Sequence, residues 1–80
     1  MSKKDKLIER FLLIPNDFHF NETVKLLGYF DFYVVKTGKT SGSRVKFRNS
    51  KGVPILLHKP HPNGIMKVYQ LKQIKIILGL

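Results

Sequence analysis

An 80-residue chain of 9.3 kDa has the size of one small domain with a thin core, burying only about 60% of its unfolded surface. Fifteen Lys and Arg stand against five Asp and Glu, and the whole +10 excess follows Asp31: five bases and five acids precede Phe32, and ten bases with no acid follow it. That acid-free segment excludes paired-carboxylate catalysis, acidic cation cages and Asp-oriented triads, and the absence of cysteine removes thiolates, disulfides and Cys-based zinc sites.

In chain order, Ser2 with Asp5 three residues later predicts a helix start approximating a capping box. Leu7, Ile8, Phe11 and Leu12 recur at helical spacing, and Pro15-Asn16-Asp17 closes the run. Phe11, Leu12 and Ile14 are left to pack on the core or on a second subunit. A second helix is expected with Asn21 as N-cap, Glu22 in its first turn, Val24 and Leu27 on one face, and Gly28 as C-cap. Phe32 to Lys36 is β-branched and aromatic and predicts a strand, followed by a polar connection from Gly38 to Ser43. Arg44-Val-Lys-Phe-Arg48 alternates base and hydrophobe, the pattern of a half-buried strand. Asn49 to Gly52 reads as a hairpin turn, and Val53 to Leu57 as a third strand with Pro54 at an edge or at its first residue. Pro60-His-Pro-Asn-Gly64 is a stiff loop. A last helix is expected from about Lys67 to Leu78, buried through Val68, Leu71, Ile74 and Leu78, with Gly79 beyond it. The core order is helix, three-stranded antiparallel meander, helix, an α+β fold with both helices on one face of the sheet.

The longest apolar run, Phe11 to Ile14, is far too short to span a membrane, and Glu9 and Arg10 interrupt what a signal peptide would need. The expectation is a small cytoplasmic domain that meets a polyanion, most simply nucleic acid, without a metal or cofactor. Arg44, Lys46 and Arg48 share one strand face about 6.6 Å apart, an ordered rail with no acid in its segment to pair with. His58 and His61 carry the only imidazoles of the basic segment. An imidazole is the natural group to move a 2′-hydroxyl proton near neutral pH, and the flanking prolines hold His61 stiffly. His-x-x-His lacks further metal ligands, since His19 is remote in sequence. Gly38-Lys39-Thr40 resembles a P-loop end but has Tyr33 where that pattern needs glycine. Lys67, Lys72 and Lys75 extend the basic surface or form the plain polar face of the last helix.

Gly42-Ser43-Arg44-Val45-Lys46-Phe47 resembles the Gly-Ser-His-x-x-Phe signature of the HicA toxin family. Pro60-His61-Pro62 is similar to that family's Pro-x-His stretch, and the Leu-Gly-Leu end to its C-terminus. The resemblance covers roughly Asn21 to Leu80, and divides the chain into an N-terminal helical extension over 1–19 and a HicA-like domain over 20–80. It implies a double-stranded-RNA-binding-like α-β-β-β-α fold, an mRNA-cleaving toxin and an acidic HicB antitoxin as partner. The family's His after Gly-Ser is Arg44 here, and an arginine that stays protonated is no general base. It can instead stabilise the charge of a phosphorane. On this reading Arg44 and His61 carry catalysis, with His58 the second proton acceptor, and Arg44, Lys46, Arg48, His58 and Lys59 contact RNA. Two alternatives stand beside it: an RNA-binding module of the same fold that does not cut, and a basic domain that docks an acidic protein.

Overall fold

A computed structural model describes residues 2–35, 44–60 and 63–80. The expected connection from Gly38 to Ser43, the strand's far end at Lys36, and His61 with Pro62 lie outside the described residues. The elements are α1 (Lys3–Leu12), α2 (Phe20–Tyr29), β1 (Tyr33–Val34), β2 (Arg44–Arg48), β3 (Pro54–His58) and α3 (Val68–Leu78).

Ser2 caps α1, its Oγ accepting the Asp5 N–H at 3.2 Å. Phe11 is fully buried, and Leu7 and Ile8 pack half-buried beside it. Leu12 was expected on the same stripe but is 40% exposed, because the helix ends there. Ile14 turns the chain out of α1 in the left-handed region, φ 49°, and packs on the core ahead of Pro15. Its N–H bonds the Phe11 carbonyl at 2.9 Å.

The second helix starts earlier than Asn21 predicts. His19 is its N-cap, and the Glu22 carboxylate, three residues on, accepts the His19 N–H at 3.2 Å. Gly28 does not end it either. The helix continues through Tyr29, and Asp31 makes the left-handed turn at φ 72°, a conformation aspartate tolerates. Gly28 lies beside the Tyr33 ring, where a Cβ would make only an ordinary contact at 3.7 Å.

The sheet order is β1-β2-β3, antiparallel throughout. Val34 pairs with Phe47 and Tyr33 with Arg48, so the regular part of β1 is shorter than Phe32–Lys36, though the Val35 N–H still reaches the Lys46 carbonyl at 2.8 Å. The β2–β3 hairpin turns at Asn49 to Gly52 as expected, with Gly52 at φ 81° and the Asn49 Oδ1 accepting from Lys51 and Val53. Pro54, whose nitrogen cannot donate, begins the edge strand β3.

Alternation sorts the two faces. Phe47, Ile55 and Leu57 point inward and are buried, Val45 is partly so, and α2 and α3 cover them with Phe20, Leu26, Leu27, Leu71 and Ile74. Phe11 and Phe18 join the same core edge to face at 5.8 Å. In α3, Leu71 and Ile74 are buried and Leu78 partly so, but Val68 is 42% exposed. Gln70 is buried near the start of the helix, where its amide meets two backbone groups. Gly79, at φ 72°, ends α3.

Candidate nucleic-acid interface

The outer face of the sheet carries Arg44, Lys46 and Arg48 from β2, and Pro54, Leu56 and His58 from β3. The register sets Arg44 opposite His58, Lys46 opposite Leu56 and Arg48 opposite Pro54. Side chains directly opposite on neighbouring strands start about 4.5–5.5 Å apart at Cβ, so Arg44 and His58 can reach one phosphate. Arg44, Arg48, His58 and Lys59 are exposed and Lys46 is partly buried. Leu56, 60% exposed, lies opposite Lys46 and adds an apolar side chain to the basic row.

Acids are kept away from this surface. Among the described residues the ion pairs are those of Arg10, to Asp17 at 3.2 Å and Glu22 at 2.8 Å. Arg10 thereby holds the Glu22 carboxylate below the usual glutamate range. Asp31 accepts from the Ser50 hydroxyl at 2.6 Å and the Ser50 N–H at 3.0 Å, which lowers its pKa. Asp17, Glu22 and Asp31 thus have partners of their own, and among the described residues no ion pair engages Arg44, Lys46 or Arg48.

A second feature adjoins β3. The segment around Ile65 pairs with His19; the Phe20 N–H bonds the Gly64 carbonyl at 2.8 Å and the Met66 N–H bonds the Phe18 carbonyl at 2.7 Å. This closes an open cleft of about 400 Å³ whose walls include His19, Asn21, Lys59, Pro60 and Asn63. Gly64, at φ 74°, also lines it. His19 and Lys59 therefore line one cleft, a shared placement that sequence distance hides and no local motif signals. Gln70 was equally illegible: its Oε1 accepts the Lys67 N–H at 2.9 Å and its Nε2 donates to the His58 carbonyl at 3.2 Å, tying α3 to the end of β3.

Of the sequence-predicted residues, Arg44, Lys46, Arg48 and His58 are brought together on one face, with Lys59 following at its edge. Lys67 and Lys72 are exposed and Lys75 is partly buried on α3. Among the described residues no three His, Asp or Glu side chains gather as a metal site, and no helix is long and apolar enough to cross a membrane.

The chain is thus an α+β domain with its helices behind a three-stranded antiparallel sheet and a row of basic side chains on the sheet's outer face. The family model described as HicA toxin of bacterial toxin-antitoxin matches residues 20–80, and the chain belongs to that family. Its members are typically mRNA interferases, and membership implies a cognate antitoxin. No curated protein and no solved structure matches the chain.

Proposed function

We propose that this chain binds mRNA on the outer sheet face and cleaves it without a metal ion, and that a HicB-like acidic antitoxin neutralises it by covering that face. The observation that carries the reading is the Arg44–His58 cross-strand pair at one end of an acid-free cationic rail. In the proposed reaction a neutral imidazole, His61 or His58, takes the proton of a ribose 2′-hydroxyl. The 2′-oxygen then attacks the adjacent phosphorus, and the bond to the 5′-oxygen breaks. The products are a 2′,3′-cyclic phosphate and a 5′-hydroxyl, whose proton returns from an imidazolium or from water. Arg44 donates to the phosphorane oxygens as their charge grows. Lys46, Arg48 and Lys59 hold neighbouring phosphates.

Incubating RNA with the protein in EDTA tests this. Cleavage is expected, falling about 10²–10⁴-fold when the imidazole that acts as base is replaced, in His58→Ala or His61→Ala. No cleavage by the unaltered protein, or undiminished cleavage by both variants and their combination, would overturn it. A second reading draws on Arg44 itself, a fixed cation where the family signature has a proton acceptor: RNA binding without cutting. It predicts salt-sensitive RNA affinity together with no product and no growth arrest on expression.

A further inference from the structure

On the side of the sheet away from His58, helix α1 builds a groove against α2 and β1. Its volume is about 670 Å³, and its walls bring together Lys3, Leu7, Lys25, Tyr29 and Tyr33. Lys3 and Leu7 belong to α1, outside residues 20–80 that match the family. The size falls within the range of sites that hold small organic ligands, about 300–1,000 Å³. Gly28 presents no side chain to the groove, and the Tyr33 ring lies beside it at ordinary contact distance. Tyr29 and Tyr33 are 41% and 60% exposed, large apolar surfaces with polar tips. Glu22 also lines the groove, but its oxygens are held by Arg10 at 2.8 and 3.3 Å and by the His19 N–H. The unpaired charge at its rim is positive.

Register links this groove to the rail, because Tyr33 lies directly opposite Arg48, the last cation of β2. A strand running along Arg44, Lys46 and Arg48 therefore leaves the sheet beside Tyr33. We infer that the α1–α2 groove is a second RNA subsite, taking a single-stranded stretch that continues from the strand on the sheet. Its bases stack on Tyr29 and Tyr33, and its phosphates meet Lys3 and Lys25. Exposed tyrosine rings interleaved with lysines are what sequence-tolerant single-strand binding uses. The inference rests on the sheet face being the RNA-binding surface.

The test measures affinities of the full chain for two uncleavable 2′-O-methyl RNAs. One is just long enough for the sheet face and the other about twice that length. The readout is the ratio of the two affinities. The unaltered protein is expected to favour the longer RNA, and Tyr29→Ala to reduce that preference by about 5- to 150-fold. Lys3→Ala with Lys25→Ala should lower the log–log salt slope for the longer RNA by about 0.7 per lysine. Because Lys3 and Lys25 are exposed, that pair does not endanger the fold. Lys46→Ala should weaken both RNAs and leave the ratio in place. An unchanged ratio in both groove variants would overturn the subsite while leaving the sheet reading intact. Indifference of the short RNA to Lys46→Ala and Arg48→Ala would overturn both. Retained RNA preference with lost affinity for the acidic antitoxin would make the groove a protein site, and overturn the inference.

Discussion

Single side chains here do unequal work for their size. Arg44 offers a planar fork of donors, whereas lysine offers a point charge. Arg44→Lys should therefore keep RNA affinity within a few-fold but reduce cleavage by about 10²–10³, the loss typical of one phosphorane-facing donor, as single-turnover assays would show. Gln70 supports the site from behind, joining the Lys67 N–H to the His58 carbonyl. Gln70→Ala leaves both groups without that partner in a partly buried place. Denaturant unfolding should show a loss of about 1–3 kcal/mol, with cleavage falling as the end of β3 loosens. Asp31 combines a left-handed backbone with two bonds to Ser50. Asparagine tolerates that backbone and still accepts a bond, so thermal melts should rank Asp31→Asn above Asp31→Ala.

Among the elements, α1 is integral to the core. Phe11, on its inner face, is fully buried against Phe18, whereas Leu12 one position on is 40% exposed. Phe11→Ala should cost about 3–5 kcal/mol, and Leu12→Ala well under half of that, by urea titration. The same helix is tied to α2 through Arg10 and Glu22. Folding lowers the Glu22 pKa, so this contact stabilises the protein above the ordinary glutamate pKa and the contribution is lost as pH falls through the folded value. Glu22→Gln should accordingly narrow the gap in melting temperature between neutral and acid pH, leaving the Asp31 contribution, which has the same sign. If the variant and the parent showed identical pH profiles, the ion pair would be without thermodynamic weight.

Across the whole molecule, the acids and the basic row of the sheet occupy different elements. The acids lie on α1, α2 and the turns flanking α2, engaged in part by Arg10 and Ser50, while the sheet's outer face is cationic. RNA affinity should fall steeply with salt, and the log–log slope should shrink by about 0.7–0.9 for each of Arg44, Lys46 and Arg48 replaced by alanine. A slope indifferent to all three would move the nucleic-acid surface elsewhere on the molecule.

The amino-acid sequence by itself determined the α+β order, the β2 alternation, the Asn49–Gly52 turn and the cationic rail. Each is a local pattern: period two in Arg44 to Arg48, turn chemistry in four adjacent residues, and a count of charges. Element edges were less legible. His19 displaced Asn21 as the cap because Glu22 reaches back three residues and Ile65 pairs with His19 from far along the chain. Gly28 predicts a helix end, but α2 continues through Tyr29 and the left-handed turn falls at Asp31. Only the tertiary structure set His58 opposite Arg44, His19 and Lys59 along one cleft, Gln70 behind His58, and Tyr33 at the meeting of rail and groove. Those placements depend on strand register and helix packing, which arise from contacts between residues distant in the chain and leave no trace in the spacing of their neighbours.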